Sequence, residues 1–418
     1  MEKITCLITL HGIGFEQPPN IRNKEGKMER DKEGNWKEFG TNTGYADLFH
    51  HYLHTHPRLN PLLSDDPKRS RTHAGENGAI YVQSRWSEDQ ESSSTEEGLK
   101  RLGTWSEDRK KINTDGAPLV ANGKLLSHVA LVYSNLEATS APFGVAIMTL
   151  VMSIFSASRY GSFKGLIYML ATDVKALFKK PDKPRPELGV SSLPRTDMKA
   201  RHKKRKQHPS ISSSPGFWKT LHYLIDDVGS YICHNEERER VRGFVLEALK
   251  RLAVRDDVGE IILNTHSQGS IIAFDVLHYL PNEVTDKIKC FVTAGSPLRK
   301  YVSLFSWGNQ VQCLYTLEPW INFWDQCDPV ADRLEPPCSW RVGDEVPVAS
   351  MERLFSRIEP NSEELRHIRV KDHPIDNVKY SCGGGLRAHN YWDNEIQFIP
   401  ELVKIVCDPI EDECSAPA

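Results

Sequence analysis

Residues 259–279, GEIILNTHSQGSIIAFDVLHY, concentrate the residue types that could do chemistry in this chain. Ile261, Ile262 and Leu263 form a short strand-favouring run, and Ile271, Ile272, Phe274, Val276 and Leu277 follow at helical spacing. Thr265-His266-Ser267-Gln268-Gly269 lies between them. A strand that becomes a helix within a few residues must bend sharply, and the residue at the bend takes a strained backbone with its side chain exposed. With Ser267 at the bend, its hydroxyl stands at a helix N-terminus, where N–H groups and the helix dipole favour developing negative charge. The N–H of Gln268 then supplies half of an oxyanion hole. A serine hydroxyl is a weak nucleophile near neutral pH, so acyl transfer needs a histidine base held in one tautomer by a carboxylate. On the pentapeptide alone, a serine in an ordinary strand-to-helix loop is the plainer alternative.

The elements that must position these groups are legible as hydrophobic patterns. Residues 4–10 are apolar almost throughout, as in a strand buried on both faces of a parallel sheet. Residues 43–55 read as a helix, 78–86 as a strand, and 217–232 and 236–252 as helices leading to the strand before Ser267. Beyond it, 288–293 and 320–324 read as strands, 368–371 as a last strand, and 395–406 as a closing amphipathic helix. This alternation predicts an α/β fold with a mainly parallel sheet flanked by helices. Residues 87–178 read as a large helical cap insertion, with amphipathic stretches at 99–112 and 119–136, no charge from 138 to 158, and an apolar run at 165–178. Residues 179–216 are rich in Pro, Ser, Lys and Arg and include a basic run at 199–206, the composition of a loosely ordered linker. The expected division is a sheet-bearing core at 1–86 and 217–418, a cap at 87–178 and a linker at 179–216.

Composition narrows the classes. The net charge of −3 and the mixed signs along the chain give no sign of nucleic-acid binding, and none is expected. Nine cysteines without CxxC pairs read as thiols, not as a disulfide framework or zinc site. His50 and His54 stand one helical turn apart, but no carboxylate or cysteine joins them at ligand spacing, so that face reads as solvated. No metal or organic cofactor is needed for the chemistry above. The N-terminus lacks the long apolar core of a signal peptide, which predicts a cytoplasmic protein. Residues 138–158 would just span a bilayer. A single crossing, however, would separate the start of the chain from Ser267, which the chemistry needs side by side. The remaining reading is an apolar wall over the site, with peripheral membrane contact through the insertion and the basic run.

Taken together, HGIG, THSQGS, TAGSPL, NFWDQCDPVA and RAHNYW make the chain resemble serine esterases and lipases of the α/β-hydrolase superfamily. The stretch from Asp328 to Pro336 is similar to the corresponding part of intracellular lipase-like enzymes such as the DDHD-type phospholipases and inositol deacylases. The resemblance covers about residues 1–86 and 255–407, and departs from the G-x-S-x-G pattern at Thr265. It implies an α/β-hydrolase fold, chain order Ser, acid, His, and a second oxyanion donor from the early glycine turn. The implied donor is the N–H of Ile13, with His11, Gly12 and Gly269 shaping the supporting turns. Asp328 is the preferred acid and Asp325 its competitor, since the carboxylate must lie in the turn beyond the strand to reach the far imidazole nitrogen. Either could instead cap that turn. His389, in the loop before the final helix, is the implied base; His367 and His373 flank the last strand too early, and His266 reads as a packing residue. The implied reaction is hydrolysis of carboxylic esters of lipid or other hydrophobic acyl substrates through an acyl-enzyme. A thioesterase or amidase would use the same residues, and a non-catalytic membrane-associated protein of this fold is the alternative from another class.

Overall fold

The computed structural model describes residues 3–12, 45–63, 80–83, 99, 102–106, 111–113, 126–133, 231, 234–304, 319–335, 355–358, 365–368, 370–381, 387–392 and 394–408. In chain order its strands are β1 (Ile4–Leu10), β2 (Ile80–Gln83), β3 (Thr104–Ser106), β4 (Lys111–Asn113), β5 (Leu126–Val132) and β6 (Val258–His266). They continue with β7 (Ile288–Ala294), β8 (Trp320–Trp324), β9 (Ser356–Ile358), β10 (Leu365–Ile368) and β11 (Val370–Pro374). Among the described residues the helices are α1 (Tyr45–Thr55), α2 (Asn235–Ala253), α3 (Gln268–Leu277), α4 (Asn282–Thr285), α5 (Leu298–Leu304), α6 (Asn377–Tyr380) and α7 (Phe398–Cys407).

Seven strands form one sheet in the order β11-β8-β7-β6-β1-β5-β2, and every neighbouring pair is parallel. β6 is central because its apolar residues can be covered on both sides. Ile261 and Leu263 pack with Val241, Phe244 and Val245 of α2 and with Ile271 and Phe274 of α3. On the opposite face Ile262 packs with Leu7, Val292 and Phe323 beneath Phe49 and Leu53 of α1 and Phe398 and Leu402 of α7. Helices therefore flank both faces, and the strand ends that carry His11, Ser267, Gly295 and Asp325 open on one side. In open parallel sheets that carboxyl edge is where ligands bind.

The sheet corrects the expected domain division. β5 comes from within residues 87–178, the stretch assigned to a helical cap, and pairs along β1 from Thr5↔Leu126 to Leu10↔Leu131. All seven of its residues are buried, so LSHVALV lacks the alternation that distinguishes a strand from a buried helix. β3 and β4, an antiparallel pair, fall within the same 87–178 stretch. The last strand is Val370–Pro374, because Leu365–Ile368 pairs with β9 in a separate two-stranded sheet. Ile13, the apolar runs 138–158 and 165–178, and the basic linker lie outside the described residues. Among the described residues no helix is long and apolar enough to cross a membrane.

Candidate active site

Ser267 is the hinge between β6 and α3. Its φ of 53° and ψ of −126° make it the only non-glycine residue with positive φ among those described. Such a backbone costs on the order of 1–3 kcal/mol and persists only when its surroundings fix it. Here the Ser267 N–H donates to the Ala294 carbonyl at 2.9 Å, and the Ser267 carbonyl accepts from the Ser270 N–H at 3.0 Å and the Ser270 hydroxyl at 2.6 Å. Two glycines make the approach possible. A Cβ on Gly269 would lie 2.3 Å from the Leu10 carbonyl oxygen and 2.4 Å from that of His11, so the first turn of α3 rests on the end of β1. A Cβ on Gly12 would lie 2.6 Å from Ser267 Cβ and 3.2 Å from its Oγ. Thr265, where the motif has glycine, is buried in β6 and donates its hydroxyl to the Val292 carbonyl at 2.9 Å. Its extra atoms are absorbed by the sheet, not by the bend. Contrary to the expectation of an exposed hydroxyl, Ser267 is fully buried.

His389 ends a 3-10 turn, Arg387–His389, and its Nδ1 meets Asp328 Oδ2 at 2.8 Å. Asp328 is buried, and its Oδ1 accepts the Val330 N–H at 2.9 Å. With the Nδ1 proton given to a carboxylate, Nε2 of the neutral ring is an acceptor. Nε2 of His389 and Oγ of Ser267 are both buried without a hydrogen-bond partner. No hydrogen bond joins the two, and catalytic hydrogen bonds are often long until substrate is bound. Gly295, with φ +60°, lets the chain pass under His389: its Cβ would lie 2.9 Å from His389 Cε1.

The competitor Asp325 is committed elsewhere. Its Oδ1 accepts the Cys327 N–H at 2.7 Å and its Oδ2 the Asn377 N–H at 2.6 Å, so it caps the turn after β8 and ties it to α6. Burial raises its carboxyl to about 6. His373 packs on the Phe323 ring at 4.9 Å and His367 lies on β10, so neither stands with Asp328. His266 does more than fill space: its Nε2 donates to the His389 carbonyl at 2.9 Å, and the two rings lie 4.7 Å apart.

His11 stacks on Tyr133 at 4.6 Å and bonds the Gly12 carbonyl through Nδ1. The Tyr133 hydroxyl lies 2.8 Å from the His11 carbonyl and 3.2 Å from Gln268 Oε1, linking the two turns that would carry the oxyanion donors. Tyr133 has no local sequence signature; it follows a strand that was itself unrecognised. The Gln268 N–H belongs to the first turn of α3, where amides have no carbonyl of their own helix to bind. Ile13 lies outside the described residues.

The histidine face of α1 is not solvated as expected. His50 is buried with its ring 4.5 Å from His128 of β5, and His54 Nε2 lies 3.3 Å from His128 Nδ1. Among the described residues no group of His, Cys, Asp or Glu could hold a metal ion.

These buried histidines set the acid stability of the fold. Burial lowers His11 to about 4 and holds His128 and His266 well below the usual value of 6.5. An unfolded chain takes up these protons near 6.5 while the folded one refuses them, so stability is lost as pH falls from 6.5 toward 4. Each histidine contributes up to about 1.4 kcal/mol per pH unit across its window. The carboxyls of Asp325, raised from 3.8 to about 6, and of Asp275 and Asp372, also raised by burial, act oppositely over part of that range and offset part of the loss. The midpoint of thermal unfolding should therefore fall between pH 6.5 and 4.5, and a flat profile would contradict the burial of these rings.

Comparison of the chain with protein-family models, curated proteins and solved structures gave no match. The site's geometry must therefore carry the functional reading.

Proposed function

We propose that this chain is a serine hydrolase of the α/β-hydrolase fold that cleaves carboxylic esters through Ser267, His389 and Asp328. The observation that carries the reading is the strained, buried serine at the β6–α3 bend, together with a histidine fixed by a buried carboxylate at Nδ1 and unpartnered at Nε2. Ser267 Oγ attacks the ester carbonyl as its proton passes to His389 Nε2, and Asp328 stabilises the imidazolium. The N–H groups of Gln268 and Ile13 take the oxyanion, at roughly 3–4 kcal/mol per donor. His389 then protonates the leaving alcohol; water, giving a proton to His389, attacks the acyl carbonyl, and that proton returns to Ser267 Oγ as the acid leaves. The apolar residues 138–158 favour a lipid or other hydrophobic acyl group. Together with the basic run 199–206 they would support peripheral contact of a cytoplasmic enzyme with an anionic membrane.

A fluorophosphonate probe tests the reading directly. The folded full-length chain should be labelled, with the adduct mapping to Ser267, and should hydrolyse p-nitrophenyl esters with a preference for longer acyl chains. Folded protein that neither labels nor cleaves any ester in the series is not a serine hydrolase. Cleavage of thioesters or amides in place of esters would keep the residues and change the substrate class.

A further inference from the structure

We propose that Tyr391 is a positioning residue for the proton relay. Its hydroxyl, fixed by the Asp325 N–H, donates to the same Asp328 oxygen that binds His389 and so sets the basicity of the base. This rests on the hydrolase reading above.

The direction of both bonds follows from the groups involved. The Asp325 N–H, 2.8 Å from the phenolic oxygen, can only donate. The tyrosine proton is left for Asp328 Oδ2, at 2.9 Å. Burial, the largest cause, and the charges of Asp328 and Asp325 push the phenol well above its usual range, so it remains a donor throughout. His389 Nδ1 donates to that same Oδ2 at 2.8 Å. Two donors on one carboxylate oxygen divide its charge between them. The tyrosine proton thus reduces the pull of Asp328 on the imidazolium while anchoring the carboxylate oxygen that the ring bonds.

Packing alone does not require this hydroxyl. The Tyr391 ring is fully buried against Gly295, whose Cβ would lie 2.7 Å from Cε2, and a phenylalanine would fill that space, at the cost of the acceptor for the Asp325 N–H. The groups facing His389 are few. Among the described residues they are Asp328 from the turn after β8, Tyr391 from its own segment, and His266 from β6, with His11 beyond it. All but the tyrosine hydroxyl are retained in a phenylalanine variant, so the difference between the two proteins isolates that hydroxyl.

The test is the pH dependence of Ser267 labelling by a fluorophosphonate, which needs no knowledge of the natural substrate. In Tyr391→Phe more negative charge faces His389 Nδ1, the imidazolium is favoured, and the acid limb of the labelling rate should move up by roughly half to one pH unit. The plateau rate should fall several-fold as Asp328 loses an anchor. Replacing Tyr391 with 3-fluorotyrosine keeps the ring and strengthens the donor, so the limb should move down. Opposite shifts support the proposal, and any other pattern overturns it while leaving the hydrolase reading intact. Wild-type protein that does not label at Ser267 removes both. If the phenylalanine variant fails to fold, the fluorotyrosine protein decides by itself, since an unmoved limb there overturns the proposal.

Discussion

Asp328→Asn should lower kcat/KM for an ester roughly ten-thousand-fold, whereas Asp325→Ala should leave turnover per folded molecule within about tenfold of wild type. The contrast follows from what each carboxylate holds. In Asp328→Asn the amide oxygen can still accept the Val330 N–H, which places the NH₂ where Oδ2 now meets His389 Nδ1 and the Tyr391 hydroxyl. A donor facing Nδ1 forces the imidazole proton onto Nε2. Nε2 is then a donor, and Ser267 is left without the base proposed for it. Asp325 makes no bond to His389; its oxygens accept the Cys327 and Asn377 N–H groups. Losing them strands two backbone amides, at about 1–3 kcal/mol each, so the expected cost appears in the unfolding midpoint. Steady-state kinetics beside thermal unfolding separates the two. A loss in Asp325→Ala as large as in Asp328→Asn would make Asp325 part of the relay.

The difference between the two aspartates marks where local sequence stops being informative. Asp325 and Asp328 share one turn, and nothing in WDQCDPV tells which carboxylate is claimed by a backbone amide from α6. That depends on Asn377, which is distant along the chain. The β6–α3 bend, by contrast, was readable because apolar spacing changes from strand-like to helical within a few residues of Ser267. The same logic failed for β5, which is buried at every position and therefore has no period. Without β5 the histidine face of α1 has no partner legible in the sequence, so the contact of His50 with His128 cannot be read from it. Tyr391 and His266 were visible as letters in RAHNYW and THSQGS, but their roles lie in contacts made across the sheet's carboxyl edge. Gly295 is the same kind of case.

Gly295→Ala should cost at least a hundredfold in kcat while destabilising the fold by only about 1–3 kcal/mol. The backbone at φ +60° penalises any L side chain, at about 1–2 kcal/mol. The larger consequence is steric: the added methyl would stand 2.7 Å from Tyr391 Cε2, 2.9 Å from His389 Cε1 and 3.0 Å from His389 Nδ1. Both neighbours are ring atoms on one segment, so relief comes from moving that segment away from β7. That movement draws His389 off Asp328, and a displacement of about 1 Å in a proton relay is worth roughly a hundredfold in rate. Since the geometry of the reacting groups is disturbed more than any binding surface, the loss should fall on kcat with KM little changed. Gly243→Ala is the matched control, because a Cβ there meets nothing within 4 Å and α2 should gain slightly from the exchange. Near-wild-type kcat in a folded Gly295→Ala protein would mean that His389 does not need the position it holds against β7, and the assignment of this imidazole as the base would fail with it.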